Sequence, residues 1–333
     1  MLAALAGQDE GMTSPSQPEL PETAKAVLIT RAGGPEVLEL RDVPVAAPGP
    51  GEVLVRVRAA GVNPVDAKIR KGSRGDITEP KRIGADASGV VVAAGEGVTF
   101  RPGDEVIGWG QPGTYAEYVT GPAAKWTPKP AEVSFPEGAA LGVPGGTAYQ
   151  CLKSVGLVPG ETLLVHAGAG AVGQAAVQFA KLWGANVVAT ASESNHERLR
   201  TLGAVPVTYG DGLLDRVREA APQGIDRVLE AAGTDEALEV SLALVDDPTR
   251  IVEIVVPGWA AEHGVTVFSG GLPGSMTPEA NALRDEAIPY TAKLIAEGRF
   301  SVELGEAFAL ADAARAHELV ETGHPRGKIV LTP

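Results

Sequence analysis

The sequence predicts a two-domain α/β protein, with a β-rich first part followed by a doubly wound parallel sheet. Three observations support this fold class: a length of 333 residues, a change from turn-bounded strands to strand–helix alternation near Ser134, and a glycine-rich turn beginning at Gly168. A chain of this length exceeds what one hydrophobic core usually organises, so two domains are expected.

The composition is that of a folded protein with an acidic surface. Hydrophobic residues make up 44% of the chain, charged residues 21%, and the net charge is −14. Nucleic acid is not expected as a partner, because phosphate binding needs clustered Lys and Arg. The single cysteine, Cys151, excludes an internal disulfide and is predicted to pack in the core. No apolar run approaches the roughly 20 residues of a membrane span, so we expect a cytoplasmic protein with no membrane partner.

The N-terminal residues 1–24 are predicted to form a disordered tail, because they are rich in Pro, Ser and acidic side chains. From Lys25 to about Gly146 the pattern is that of β-strands. Val53, Val55 and Val57 alternate with more polar residues, which is typical of a half-buried strand at 52–59. Further strands are predicted at 26–30, 89–93, 105–108 and 115–120.

Near Ser134 the pattern becomes helical. Ser134 and Glu137 have the spacing of a capping box, which predicts a helix start. Short Val/Leu/Ile runs then alternate with helical stretches, and this alternation predicts parallel strands joined by crossover helices. These strands are predicted at 162–167, 186–191, 205–209, 227–231, 250–256 and 265–269. The final strand, at 327–332, is expected to complete the first domain.

A G-x-G-x-x-G pattern at Gly168, Gly170 and Gly173 lies between a predicted strand and the helical stretch 173–182. Glycines at this spacing permit a tight turn and a close backbone approach, and the helix N-terminus offers N–H groups to a pyrophosphate. The context predicts a dinucleotide site.

The choice of cofactor depends on the end of the second strand of this unit. An acid there would bind the ribose of NADH and repel the 2′-phosphate of NADPH. If Ser192 occupies the position, hydroxyl and imidazole groups are available for a phosphate. If Glu193 occupies it, NADH binding is favoured. The sequence favours NADPH over NADH. His196 is equally consistent with a phosphate contact and with an ordinary exposed helix residue.

No metal site is predicted. The five histidines share no ligand spacing, and one cysteine cannot form a thiolate cluster. There is also no serine nucleophile motif, so we expect the nicotinamide cofactor to carry out the reaction.

The chain from Lys25 to Pro333 resembles the medium-chain dehydrogenase/reductase superfamily, and within it the zinc-free quinone oxidoreductases and zeta-crystallin-like enone reductases. The resemblance implies a GroES-like catalytic domain, formed by residues 25–146 and 292–333, and a Rossmann NADPH-binding domain, formed by residues 147–291. It also implies a homodimer. Besides the glycine turn, the motifs that carry it are Gly33-Gly34-Pro35-Glu36-Val37-Leu38, Pro50-Gly51-Glu52-Val53-Leu54-Val55, Ala60-Gly61-Val62-Asn63-Pro64-Val65-Asp66, Pro102-Gly103-Asp104-Glu105-Val106 and Arg326-Gly327-Lys328-Ile329-Val330-Leu331.

The same resemblance assigns site residues. Where zinc-dependent relatives carry ligands, this chain has Asn63, Gly84-Ala85-Asp86 and Val143, so zinc independence is implied. Asn63, Lys68 and Thr147 would form the catalytic site, with Lys68 where many quinone reductases carry Tyr. The cofactor-binding residues implied are Ala169, Gly170, Ala171, Val172, Gly173, Ser192, Asn195, His196, Tyr209, Val256, Phe268, Ser269 and Lys328.

The function expected is hydride transfer from NADPH, without zinc, to a quinone or to the C=C bond of an α,β-unsaturated carbonyl. Two alternatives stay open: a pathway-specific enoyl or enone reductase of secondary metabolism, and a catalytically idle NADPH-binding module. The segment 270–287 either caps the substrate cleft or forms a surface loop.

Overall fold

The computed structural model describes residues 20–268, 276–323 and 326–333. Most of the predicted tail, residues 1–19, lies outside these ranges. The first strand begins at Thr23, within the range predicted as tail.

The first part of the chain is β-rich, as predicted. Its helices are α1 (Pro64–Arg70) and α2 (Phe135–Ala139). Its strands are β1 (Thr23–Ile29), β2 (Glu39–Pro44), β3 (Glu52–Gly61), β4 (Lys81–Arg82), β5 (Asp86–Ala94), β6 (Glu105–Gly108), β7 (Tyr118–Pro122) and β8 (Trp126–Pro128).

Two C-terminal strands, β15 (Leu304–Ala309) and β16 (Lys328–Thr332), join this part of the fold. Within the described ranges, one sheet has the order β15-β16-β3-β5-β6-β8, with β7 also paired to β3, and a smaller sheet has the order β2-β1-β4. Strand β16 pairs antiparallel with β3, so the last strand lies in the sheet of the first part of the chain.

The second part is a doubly wound sheet. Its strands are β9 (Thr162–Val165), β10 (Asn186–Thr190), β11 (Val205–Val207), β12 (Arg227–Glu230), β13 (Ile251–Glu253) and β14 (Thr266–Val267). They pair in the order β11-β10-β9-β12-β13-β14, and each pair is parallel. The carboxyl ends of all these strands therefore meet at one edge, where ligands bind in such sheets.

The helices of this second part are α3 (Gly142–Ser154), α4 (Ala171–Leu182), α5 (His196–Thr201), α6 (Leu213–Ala220), α7 (Asp235–Leu244), α8 (Pro257–His263) and α9 (Pro278–Ala296). Helix α10 (Ala313–Glu321) packs instead in the core of the first part, beside β15 and β16. The predicted domain boundary at 146/147 falls inside α3, and that at 291/292 falls inside α9.

An aromatic cluster packs α3, α4 and α9 together. Tyr149 meets Phe179, Trp183 and Tyr290 edge-on at centroid distances of 5.3–5.6 Å, and Phe300 lies 5.0 Å from Phe179. Cys151 is fully buried in the same core, which confirms its predicted place. The helices that connect the two domains are thus anchored in one apolar core.

The predicted capping box is also confirmed. The Ser134 N–H donates to the Glu137 carboxylate at 2.9 Å, and the Glu137 N–H donates to the Ser134 hydroxyl at 3.3 Å. Helix α2 starts directly afterwards. None of the helices in the described part of the chain is long and apolar enough to cross a membrane.

Candidate functional site

The glycine turn joins β9 to α4, as predicted. A Cβ at Gly168 would lie 2.7 Å from the Ala189 Cβ, and one at Gly173 would lie 2.4 Å from the Ala167 carbonyl oxygen. At Gly170 the nearest atom would be 3.3 Å away. Two glycines therefore pack the turn against the protein, whereas a Cβ at Gly170 would have only the Ala167 carbonyl oxygen within 4 Å.

The start of α4 can accommodate a pyrophosphate. Gly170 caps α4, and among the described residues no side chain accepts from the N–H groups of Ala171, Val172 or Gly173. The first N–H groups of a helix have no partner within the helix, and the helix dipole favours an anion beside them. The predicted residues Ala169, Ala171, Val172 and Gly173 surround this position in the chain, so the turn can hold a dinucleotide.

The residues predicted around the adenosine 2′-phosphate come together after β10. The Asn195 amide donates to the Ser192 hydroxyl at 3.0 Å. His196 Nε2 lies 3.3 Å from the Ala191 carbonyl oxygen, so one edge of its ring is already engaged. Tyr209 is 51% exposed and follows β11.

The nearby Arg216 is held by the backbone. Its three guanidinium nitrogens donate to the carbonyl oxygens of Thr208, Gly210 and Asp211 at 2.6–2.9 Å. Ser192, Asn195 and His196 supply hydroxyl, amide and imidazole groups, and the exposed Glu193 follows Ser192 in the chain.

Elsewhere in the site, the Asn63 side chain is held by two charged neighbours. Its amide donates to Asp86 Oδ2 at 3.0 Å, and its side-chain oxygen accepts from the Lys328 ammonium. Asp86 Oδ2 also accepts from the Val143 N–H at 2.8 Å. All three positions at which zinc-dependent relatives carry ligands are thus tied to one another through Asp86.

Lys328 lies beside Asn63 in the interior, and only 4% of it is exposed. Its ammonium also donates to the Val62 carbonyl oxygen at 2.6 Å. Burial lowers the pKa of Lys328 to about 8, although the carboxylates of Asp86 and Asp66 oppose the shift. Lys328 and Ala171 also line one narrow cavity, which has about 30 Å³ of space for water-sized molecules.

A buried polar network continues from the Asn63 backbone to Asp66, Tyr115 and His317. Asp66 Oδ2 accepts from the Asn63 N–H and from the Tyr115 hydroxyl, both at 2.9 Å. The Tyr115 hydroxyl lies 3.3 Å from His317 Nε2, and Arg70 reaches the other ring nitrogen at 3.4 Å. Burial raises the pKa of Asp66 to about 6 and lowers that of His317 to about 4.

The remaining predicted residues lie on elements around this centre. Lys68 is half-buried on α1, and Thr147 is buried on α3. Val256 follows β13 and Phe268 follows β14, and both donate their backbone N–H groups to Glu253, one to the carboxylate and one to the carbonyl oxygen. Ser269 lies outside the described residues.

Part of the segment 270–287 packs on the first domain. From Pro278 it belongs to α9, where the Asp285 carboxylate accepts from Trp109 Nε1 at 2.7 Å and from the Lys125 ammonium at 2.5 Å. Residues 270–275 fall outside the described ranges. The described portion is helical and bridges the two domains.

Several site residues were missed from the sequence. Tyr115 and His317 carried no local signal, because Tyr115 contacts Asp66, and His317 contacts Tyr115, across long stretches of the chain. Glu230 and Glu253 did carry one, since each is an acid that ends an apolar strand. Both are completely buried at the ligand-binding edge of the sheet.

Across the described residues, no group of three or more His, Cys, Asp or Glu side chains is placed to hold a metal ion.

Comparison with known proteins matches both parts of the chain. The alcohol dehydrogenase GroES-like domain matches residues 49–131, and the zinc-binding dehydrogenase domain matches residues 202–331. Human quinone oxidoreductase is 31% identical over 333 residues, which cover 92% of this chain and 97% of that protein. The chain belongs to the quinone oxidoreductase family of the medium-chain dehydrogenase/reductase superfamily. The family resemblance and the two-part fold class predicted from the sequence are confirmed.

Two further relatives of this quinone oxidoreductase family member differ in how much they share with it. The Escherichia coli quinone oxidoreductase, solved in complex with NADPH, superposes with a TM-score of 0.81 at 29% identity, covering 93% of this chain and 100% of that one. The human synaptic vesicle membrane protein VAT-1 homolog is 37% identical over 217 residues, or 63% of this chain. The match spans only 55% of that relative's length.

Proposed function

We propose that this chain is an NADPH-dependent, zinc-independent oxidoreductase that transfers a hydride to a quinone or to the C=C bond of an α,β-unsaturated carbonyl. The observation that carries the proposal is the glycine turn at the carboxyl edge of the parallel sheet, where the first N–H groups of α4 can bind a pyrophosphate. Lys328, which contacts Asn63, also lines a narrow cavity that reaches Ala171, the first residue of α4.

Zinc independence is supported by the charge and donors at that centre. The Lys328 ammonium already contacts Asn63, and its charge acts on Asp86. A divalent cation placed there would meet a buried positive charge, an amide and the apolar Val143 side chain. Zinc prefers thiolate and imidazole ligands, and these positions provide neither.

NADPH is favoured over NADH because the side chains of Ser192, Asn195 and His196 include no carboxylate, the group that would repel a 2′-phosphate. The Escherichia coli relative was solved with NADPH, which supports the same choice.

The cofactor and the site residues would have different roles in the reaction. The bound nicotinamide supplies the hydride. Asn63 has its amide fixed on both sides, so it forms a rigid polar wall of the site. The Lys68 ammonium would stabilise negative charge on an acceptor oxygen. Thr147, buried on α3, would lie beside the nicotinamide.

The proposal is tested by following NADPH oxidation at 340 nm against quinones and enones, with NADH in parallel and a chelator in one set. We expect acceptor-dependent oxidation that prefers NADPH and is insensitive to chelation. Tight NADPH binding without oxidation by any acceptor would favour an idle binding module, whereas turnover confined to one elaborate enoyl substrate would indicate a pathway-specific reductase. The homodimer and the cytoplasmic location stay predictions.

A further inference from the structure

Two buried glutamines on α4 hold the segment of chain that leads into β15. Gln174 and Gln178 lie one helical turn apart on the helix that follows the glycine turn, and only 5% and 8% of them are exposed. Residues four positions apart lie on one face of a helix. The segment they contact, residues 300–303, is called here the bridging segment, because it runs from α9 into the sheet that contains β3. Contacts between the two glutamines and this segment therefore join the two parts of the fold.

Gln178 binds the backbone of the bridging segment at Ser301. Its Oε1 accepts from the Ser301 N–H at 2.8 Å, and its Nε2 donates to the Ser301 carbonyl oxygen at 3.0 Å. One side chain thus satisfies both backbone groups of Ser301. The segment cannot slide along α4 without breaking both hydrogen bonds.

Gln174 joins the bridging segment to the glycine turn. Its Nε2 donates to the Ala169 carbonyl oxygen at 2.9 Å and to Glu303 Oε2 at 2.7 Å. Its Oε1 accepts from Arg198 Nε at 2.9 Å. Carbonyl and carboxylate oxygens only accept, and a guanidinium only donates, so these three partners fix the orientation of the amide.

Glu303 continues the connection towards Asn63. The Glu303 carbonyl oxygen accepts from the Lys328 N–H at 2.7 Å. The ammonium of the same lysine contacts the Asn63 side-chain oxygen and donates to the Val62 carbonyl oxygen at 2.6 Å. A continuous series of contacts therefore joins Ala169 in the glycine turn to Asn63, through Gln174, Glu303 and Lys328.

Little free space separates these side chains. Gln174, Glu303 and Lys328 all line the narrow cavity with about 30 Å³ of space for water-sized molecules. A buried water needs about 10–15 Å³, so about two waters fit there. Protein interiors are close-packed and transmit strain. A displacement of the glycine turn would therefore be passed on to the strand that carries Lys328.

We propose that Gln174 and Glu303 are positioning residues for hydride transfer, which fix the Lys328–Asn63 centre relative to a cofactor bound at the glycine turn. This inference rests on the proposed function. Reacting atoms must approach to about 3–3.5 Å, and a misplacement of about 1 Å can slow a reaction about 100-fold. Asn63 and the glycine turn lie in different parts of the fold, so contacts that cross between these parts set their relative position.

The first test removes the contact at Glu303, which touches neither the glycine turn nor Asn63. We expect Glu303→Ala to lower kcat about tenfold and to keep the Kd for NADPH within about threefold of the wild type. Glu303→Gln keeps an oxygen that can accept from Gln174, and it should restore most of kcat.

The matched control is Glu161→Ala. The Glu161 side chain is 16% exposed, against 22% for Glu303, and it accepts from Arg227 at 3.1 Å. Both partners of this pair lie beside the ends of strands in the parallel sheet, so the contact does not cross between the two parts of the fold. Glu161→Ala should keep kcat within about twofold of the wild type.

A double-mutant cycle tests whether the two residues act through one contact. If they do, the double variant Gln174→Leu/Glu303→Ala should be no slower than the slower single variant, within about twofold. Losses of kcat that multiply would overturn a shared positioning role.

A further readout does not depend on turnover. The probe 2′-phospho-ADP-ribose carries the pyrophosphate and the 2′-phosphate of NADPH but has no nicotinamide. Its binding at the glycine turn should slow amide hydrogen exchange in residues 300–305 at least about threefold, because Gln174 connects Ala169 to Glu303. Glu303→Ala should abolish this slowing, and Glu161→Ala should keep it.

The outcomes separate this inference from the proposed function. An unchanged kcat in Glu303→Ala, an equal loss in Glu161→Ala, or exchange that does not respond to bound 2′-phospho-ADP-ribose overturns the positioning role alone. A wild type in which exchange responds, but which oxidises NADPH with no acceptor, overturns the proposed function and with it a role in hydride transfer.

If Gln174→Leu fails to fold, a swap of the two side chains replaces it in the cycle. Gln174→Glu removes the amide donor, and the double variant Gln174→Glu/Glu303→Gln restores a donor and an acceptor in the opposite direction. A higher kcat in the double variant than in Gln174→Glu supports the contact, and no recovery overturns it.

Discussion

The Asn63 amide donates a 3.0 Å hydrogen bond to Asp86, while the Asn63 side-chain oxygen accepts from the Lys328 ammonium. The three side chains form a buried array in which a positive and a negative group share one neutral amide. The array fixes which way the Asn63 amide points. It also makes the buried ammonium depend on nearby carboxylates.

Removing the charge of Asp86 should therefore destabilise the fold. In Asp86→Asn the Lys328 ammonium keeps only Asp66 as a buried counter-charge, and breaking a buried charge pairing typically costs about 3 kcal/mol. Urea unfolding measures the loss. The control is Asp42→Asn, where an exposed carboxylate lies 2.8 Å from Lys25 and about 1 kcal/mol or less is expected. Equal losses in both variants would contradict the charge pairing.

The glycine turn yields a prediction that separates folding from binding. Gly173→Ala places a Cβ against the Ala167 carbonyl oxygen and should cost about 1–3 kcal/mol of unfolding free energy. Gly170 has φ −68° and ψ 163°, which alanine adopts readily, and its Cβ would lie 3.3 Å from the Ala167 carbonyl oxygen, against 2.4 Å at Gly173. Gly170→Ala should therefore lose less stability than Gly173→Ala. It should nevertheless weaken NADPH affinity about tenfold, because the methyl group meets the pyrophosphate. NADPH affinity can be measured by cofactor fluorescence. Equal affinity in Gly170→Ala and the wild type would show that the pyrophosphate does not bind beside Gly170.

Cofactor choice should respond to a single charge at Ser192. Ser192→Asp places a carboxylate where the 2′-phosphate is proposed to lie, so the affinity for NADPH should fall at least about tenfold while that for NADH is kept or rises. Thr201→Asp, on the exposed face of α5, adds the same charge elsewhere and controls for net charge. If both variants bind NADPH alike, the phosphate lies elsewhere.

His317 makes the stability of the fold sensitive to acid. Its pKa falls from an ordinary 6.5 to about 4 in the folded protein, because the ring is buried. Between these values the unfolded chain binds a proton that the folded chain does not, so acidification favours unfolding. From pH 6.5 to 4 the wild type should lose up to about 3 kcal/mol relative to His317→Gln. Urea unfolding across this range gives the difference, and parallel curves would refute the assignment.

Elements with a local signature could be predicted from the sequence. The alternation in β3, the capping box at Ser134 and the strand–turn–helix around Gly168 each depend on residues only a few positions apart. The strand β2 was missed, because most of its residues are exposed and its only pairing is with β1. A strand of this kind has neither a buried face nor a strong apolar period.

Only those site residues that lie in sequence motifs could be predicted. Asn63 and Lys328 were both expected near the cofactor, but their contact joins residues 265 positions apart, and no local pattern announces it. The contact between Tyr115 and His317 spans 202 positions. Partners of this kind are set by how the sheets and helices pack, and burial then shifts their pKa values. Sequence spacing does not reveal either effect.

The most direct test of metal-free hydride transfer is an anaerobic single turnover. The protein is stripped of metal with a chelator, loaded with one equivalent of NADPH, and mixed with a quinone or an enone. The account predicts that each NADPH consumed yields one hydroquinone or one saturated carbonyl product. NADPH that stays bound and reduced with every acceptor, or product that forms only after a metal is added back, would contradict it.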